Sequence, residues 1–283
     1  MRNFLILFLA LTAASRAAEP ATPVVWNHSV KSDIGPSFWG KDAPSFATCG
    51  TKAGENLVEV GMRQTPIDID NKLTTKTDTA ALTFQYEDAP MAVTNTGHVV
   101  EVEYPAGSTI RLGQFSSSGA MNWSQASDEY QLVQFHFHAP SEHTIDGKRA
   151  AMEAHLVHRN QLGDLAVVGV LMNLAQDSAL LVDSIIKLAP LTVGEGKQEG
   201  VTLNARRLIP ENKSYYMYSG SLTTPPCTEG VRWFVMRDPI AVSPQAVHQM
   251  HNIVSHFPGY EGFADNNRPI VLSHGRTVIV NRQ

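Results

Sequence analysis

The sequence predicts a mainly β fold, a single domain with a large, mostly antiparallel central sheet and a few peripheral helices. Three observations carry that expectation. Short strand-like runs dominate the stretch from residue 80 to 172. Clusters of Gly, Pro, Asn and Ser punctuate them at the spacing of consecutive antiparallel strands. Only two segments show helical periodicity.

In chain order the expected strands are Leu82–Tyr86, Ala92–Thr94, Val99–Tyr104, Thr109–Leu112, Tyr130–His138, Ala151–Val157 and Leu165–Met172. Val231–Met236 and Thr277–Val280 add late strands. One helix is expected where Leu181, Ile185 and Leu188 recur at helical spacing, with Asp177 or Ser178 as cap and Pro190 as stop. A second opens at Ser243-Pro244, a cap followed by proline at the first helical position, and runs toward Phe257. No repeat, low-complexity tract or linker divides the chain.

Residues 1–18 have the character of a cleaved export signal. Arg2 is the positive charge, Phe4 to Ala14 the apolar run, and Ala17 and Ala18 the small residues of a cleavage site. That run is shorter than the about 20 apolar residues that span a bilayer. The expectation is a periplasmic or secreted protein of residues 19–283, without a membrane anchor after processing. A balance of 22 Lys+Arg against 27 Asp+Glu, net −5, argues against a nucleic-acid partner. A hydrophobic fraction of 43% excludes disorder of the bulk. The two cysteines, Cys49 and Cys227, suggest one disulfide in an oxidising compartment. Two buried thiols or metal ligation are the alternatives, the latter disfavoured because CxxC spacing is missing.

The richest segment is Val133-Gln134-Phe135-His136-Phe137-His138. Strand alternation assigns Val133, Phe135 and Phe137 to one face and Gln134, His136 and His138 to the other. Two residues along a strand advance about 6.6 Å, so both imidazoles can tilt onto one metal at about 2.1 Å per bond. An HxH pair alone also suits any polar strand face. In Met152-Glu153-Ala154-His155-Leu156-Val157-His158, however, His155 shares its face with Glu153 and Val157, and His158 points the other way. If the two strands are neighbours, His155 completes a three-histidine set and Glu153 orients its ring. Three neutral imidazoles leave zinc one open position and bring the pKa of bound water to about 7. A structural site would close that position, so the open one points to catalysis.

Gln134-Phe135-His136-Phe137-His138, Ser141-Glu142-His143 and Glu153-Ala154-His155-Leu156-Val157-His158 resemble the α-class carbonic anhydrases of exported bacterial type. So do Gln64-Thr65-Pro66-Ile67-Asp68, Asn95-Thr96-Gly97-His98, Leu165-Ala166-Val167, Gly220 to Pro226, Val231-Arg232-Trp233 and Asn266-Asn267-Arg268-Pro269. These motifs keep their order across nearly the whole mature chain. The resemblance implies reversible hydration of carbon dioxide to bicarbonate and a proton by a zinc-bound hydroxide, with one zinc per chain. It assigns zinc to His136, His138 and His155, and gives Gln134, Glu153 and the backbone of Asn266 as the groups that hold those rings. Thr223 and Glu142 match the pair that orients the nucleophile. Thr223 and Thr224 match the substrate contacts, and Val157, Val167, Leu222, Val231 and Trp233 the apolar pocket.

His98 matches the proton shuttle, and Glu101 is expected to raise its pKa by stabilising imidazolium. His143 is expected to buttress Glu142. His248, His251 and His256 are expected to be solvated helix histidines, and His28 and His274 carry no signal. Thr96 and Glu101 depart from the family's polar amides and bear on the proton path. The rival readings are a noncatalytic relative, which typically loses a zinc histidine, and an ester hydrolase, which usually needs the missing HExxH. A homodimer stays open.

Overall fold

Alternating burial builds the sheet. The computed structural model describes residues 25–42, 44–50, 62–77, 82–112, 114–115, 121–122, 129–176 and 180–281. The proposed leader and the Asp177 and Ser178 cap lie outside them. The strands are β1 (Asp68–Ile69), β2 (Thr75–Thr77), β3 (Leu82–Gln85), β4 (Ala89–Asn95), β5 (Val100–Glu103), β6 (Thr109–Leu112), β7 (Gln114–Phe115), β8 (Met121–Asn122) and β9 (Glu129–His138). They continue with β10 (Thr144–Ile145), β11 (Lys148–Arg149), β12 (Met152–Arg159), β13 (Leu165–Leu174), β14 (Gly194–Leu203), β15 (Tyr215–Ser221), β16 (Glu229–Met236), β17 (Ile240–Val242) and β18 (Ile279–Asn281). Among the described residues, α1 (Trp39–Asp42), α2 (Leu180–Leu188) and α3 (Pro244–Val254) are the α-helices.

One 13-stranded sheet runs β14-β4-β5-β9-β12-β13-β16-β15-β18-β2, with β3, β6 and β17 attached at its sides. Most pairings are antiparallel, but β13 runs parallel to β16 and to β17, and β18 parallel to β2. The sheet is therefore mixed. Parallel neighbours need a long crossover, and the chain from Leu174 to Glu229 supplies one, carrying α2, β14 and β15 on the way.

Two apolar layers cover the sheet. One face packs Leu132, Phe135, Phe137, Leu156, Val168 and Val170 against Leu181, Val182 and Ile185 of α2 and Met250 and Ile253 of α3. The other gathers Val167, Val231, Trp233, Tyr216, Tyr218 and Val280. Ser243 caps α3, its hydroxyl accepting the Ala246 N–H at 3.0 Å. That helix stops at Val254, short of the expected Phe257.

Val133 leaves the face assigned to it. Gln134 pairs with Val157 and Leu132 with His158, so Val133 is the extra residue of a β-bulge. It is 39% exposed, while Leu132 and Phe135 on either side are buried together. Without the bulge, strict alternation would send Leu132 and Phe135 to opposite faces.

Candidate metal centre

The register of β9 on β12 sets the site. His136 faces His155, and Glu153 faces His138, so residues far apart in sequence share one face of two adjacent strands. Each of His136, His138 and His155 offers one ring nitrogen, and these nitrogens lie within 4.8 Å of one another. The opposite nitrogen of every ring is occupied. His136 Nδ1 pairs with Gln134 Oε1 at 2.8 Å, His138 Nδ1 donates to the Asn266 carbonyl at 2.7 Å, and His155 Nε2 pairs with Glu153 Oε1 at 3.0 Å. His136 Nε2, His138 Nε2 and His155 Nδ1 are thus left for a ligand. His138 Nε2 is buried without a partner, a costly state for a polar atom unless something binds there. Burial lowers the pKa of all three rings, that of His138 to about 4, and keeps them neutral as ligation requires. Three neutral nitrogen donors fit zinc.

Two carboxylates divide the electrostatics. Burial alone would raise Glu153, yet His143 and His155 hold it well below the usual carboxylate range. Its Oε2 accepts the backbone N–H groups of Glu142 and His143, both at 2.8 Å, and its Oε1 faces His143 Nδ1 at 2.7 Å as well as His155. Glu142 is raised by burial, opposed by His155, the Arg268 N–H and Thr223. Its Oε1 accepts that N–H at 2.6 Å, while Oε2 has no partner.

His143 accordingly buttresses Glu153, and its Nε2 meets the Tyr218 hydroxyl at 2.6 Å. This overturns the expected support of Glu142: one backbone turn aims the His143 ring and the Glu142 N–H at the same neighbouring carboxylate. His158 falls on the opposite face, against the Tyr86 hydroxyl at 2.8 Å. Gly169 sits opposite His155, where a Cβ would stand 3.0 Å from Glu153 Oε1.

Thr223 is buried on the loop after β15, and Val167, Val231 and Trp233 are buried with Val157 and Leu222 packed on them. The Trp233 ring meets His155 edge-on at 4.8 Å, so the apolar set adjoins the histidines. The same loop carries Cys227, bonded to Cys49 across a separation of 178 residues. Arg268 locks this corner. Its guanidinium donates to Gln64 Oε1 at 3.0 Å, the Thr65 carbonyl at 2.7 Å and the Cys49 carbonyl at 3.0 Å.

His98 stacks on Trp26 with ring centroids 3.8 Å apart, and its Nδ1 is buried without a partner. Burial lowers its pKa to about 4. The rise expected from Glu101 does not occur, because that carboxylate stands on β5 opposite His136 and is itself raised by burial. His248 and His256 are exposed, as expected of solvated histidines, whereas His251 is only half-exposed and bonds the Ala264 carbonyl at 2.8 Å.

Sequence reasoning missed His28, which is buried beside His138 and Glu142 with Nε2 unpartnered. No pattern marks it, since its segment Trp26-Asn27-His28 is neither strand nor helix. Arg268 belongs to the Asn266-Asn267-Arg268-Pro269 motif, but its role depends on backbone contacts that no motif displays.

The model of the eukaryotic-type carbonic anhydrase family matches residues 35–282. A carbonic anhydrase of Pectobacterium atrosepticum is 31% identical over 95% of this chain and 96% of its own. One from a Nostoc species is 33% identical over 96% of this chain and 92% of its own. Among solved structures, the α-carbonic anhydrase of Thermovibrio ammonificans in complex with sulfanilamide superposes with a TM-score of 0.75 at 31% identity. It covers 91% of this chain and 100% of its own.

Proposed function

The chain belongs to the α-class, or eukaryotic-type, carbonic anhydrase family of enzymes, and on that premise we propose that it reversibly hydrates carbon dioxide to bicarbonate and a proton with one zinc ion. The observation that carries this reading is the convergence of three neutral imidazoles, one with a buried orphan nitrogen, beside an unpartnered carboxylate oxygen. His136 and His138 bind through Nε2 and His155 through Nδ1, held in those tautomers by Gln134, the Asn266 carbonyl and Glu153. Zinc there supplies a Lewis acid that brings the ionisation of water near neutrality.

The remaining work falls to this chain's own groups. Thr223 donates its hydroxyl hydrogen toward Glu142 and so turns its oxygen lone pairs to the open side. That arrangement selects an attacking oxygen that still carries a hydrogen and fixes its direction. Val157, Val167, Leu222, Val231 and Trp233 exclude water and offer carbon dioxide an apolar wall. The Thr223 N–H and the Thr224 hydroxyl receive bicarbonate. His98 takes the proton outward, and the burial that lowers its pKa to about 4 makes it a weak acceptor at pH 7.

We read residues 1–18 as a cleaved signal and 19–283 as the exported, periplasmic or secreted catalytic unit. The Cys49–Cys227 disulfide supports an oxidising compartment, and no described helix is long and apolar enough to cross a membrane. Stopped-flow carbon dioxide hydration before and after chelation tests the reading. Activity should vanish with the metal and return with one equivalent of zinc. Full activity in a protein stripped of metal would refute it.

A further inference from the structure

One buried amide joins the metal centre to the turn that carries His98. Asn266 is fully buried, in a segment that is neither strand nor helix. The family motif gives a role to its backbone carbonyl alone, which accepts from His138 Nδ1 at 2.7 Å. Its side chain reaches further. Oδ1 accepts the Ala139 N–H at 2.8 Å, while Nδ2 donates to the Phe137 carbonyl at 3.1 Å and to the His98 carbonyl at 3.2 Å. The Asn266 N–H donates to the Ala139 carbonyl at 3.1 Å. These partners settle which way the amide points, since a backbone carbonyl only accepts and a backbone N–H only donates.

The sheet explains why such a clamp is needed. β5 pairs with β9 from Glu103 opposite Gln134 to Val100 opposite Phe137, and β9 ends at His138. Past Phe137, β5 no longer runs beside β9. A buried backbone group without a partner is costly, and Asn266 supplies partners on both sides of His138, at Phe137 and at Ala139. The same end of β5 is where the chain leaves the turn bearing His98, which links Asn95 of β4 to Val100 of β5. Asparagine suits this junction. Aspartate would set an acceptor against the Phe137 and His98 carbonyls, and leucine would strand both of them and the Ala139 N–H.

We propose that the Asn266 side chain is a positioning residue that ties the His98 turn to the ligand His138, so that zinc occupancy orders the turn that carries the proton acceptor. The inference rests on the three-histidine reading above. A ligating imidazole is oriented by the bond from its second N–H to a carbonyl, so His138, once ligated, holds the Asn266 peptide. The amide on the same residue then holds the His98 carbonyl. Without that amide the turn keeps its internal bonds, from Gly97 N–H to Asn95 Oδ1 at 2.8 Å and from Val99 N–H to Thr96 Oγ1 at 3.1 Å. Those bonds do not reach the centre.

The test uses the full mature protein with zinc alone as the probe, and it reads backbone amide exchange by NMR instead of turnover. In the unsubstituted protein, one equivalent of zinc should slow exchange at Thr96, Gly97 and Val99 about tenfold, the scale of one hydrogen bond. In Asn266→Ala the same addition should change exchange at those amides by less than about twofold. The α3 amides of Met250 and Ile253 should exchange alike in both proteins, which reports an intact fold. Slowing in Asn266→Ala equal to that in the unsubstituted protein overturns the proposal and leaves the metal centre standing. If Asn266→Ala does not fold, the unsubstituted protein decides: bound zinc with no slowing in the turn overturns the proposal. Failure of the unsubstituted protein to bind zinc overturns the centre and this proposal together.

Discussion

At the scale of single residues, burial does more than charge to set the protonation of this site. His136, His138 and His155 are neutral because they are desolvated, and Glu153 stays ionised because His143 and His155 beside it outweigh its burial. Replacing His155 with Ala should abolish stoichiometric zinc and hydration together, and atomic absorption showing one zinc per chain in that variant would sink the ligand assignment. His98 offers a second measurement. Trp26→Ala removes the ring stacked at 3.8 Å, so water should reach the imidazole and its pKa should climb from about 4 toward the ordinary 6.5. We expect kcat in weak buffer at pH 7 to rise several-fold, as a proton acceptor works best near the operating pH, while kcat/KM stays constant. An NMR titration with no pKa change would reject burial as the cause.

At the scale of elements, the β9–β12 ladder shows how a bulge serves two layers. The residue added at Val133 lets Tyr130, Leu132, Phe135 and Phe137 all enter one core while Gln134, His136 and His138 keep to the site face. Helix α3 contributes a pH-dependent contact. Asp265 Oδ1 lies 3.4 Å from His251 Nδ1, and its hydrogen bond leads the causes that raise the His251 pKa above 6.5. A raised folded-state value means that His251 stabilises the fold fully below pH 6.5, and that this contribution fades as pH rises through the folded value. Asp265→Asn should therefore lower the melting temperature most below pH 6.5 and hardly at all well above the folded value. Equal shifts at pH 5.5 and pH 9 would show that the pair acts by packing alone.

At the scale of the molecule, the Cys49–Cys227 bond spans 178 residues and ties the loop bearing Thr223 to the segment after α1. Both cysteines are buried against Trp39, and Arg268 joins the same corner to Glu142 through its own backbone. A crosslink over so long a loop stabilises by up to about 5 kcal/mol in the chain-entropy account. Cys49→Ser with Cys227→Ser should lower the unfolding free energy by several kcal/mol and reduce hydration, because the loop that aims Thr223 loses its anchor. Two thiols alkylated in the denatured, unreduced native protein would contradict the bond.

Much of this was legible in the chain. Period-2 alternation marked the strands that carry His136, His138 and His155, because side-chain direction in a strand depends only on position along it. The Ser243-Pro244 cap and the helical repeat from Leu181 were equally local signals. Strand β14 escaped notice because Gly194 to Leu203 is an edge with exposed Glu195, Lys197 and Glu199, and an edge facing water needs no apolar alternation. The Val133 bulge was hidden too, since one extra residue leaves composition intact and shows only against a paired strand. His143 turned to Glu153, His98 slid under Trp26, and His28 came to lie beside His138 and Glu142 from 110 positions before His138. The sequence by itself determined which residues could form strands and carry ligands, because those properties are local. Only the tertiary structure decided which groups meet, which are dry and which nitrogen holds a hydrogen, because desolvation and hydrogen-bond partners come from chain segments distant in sequence.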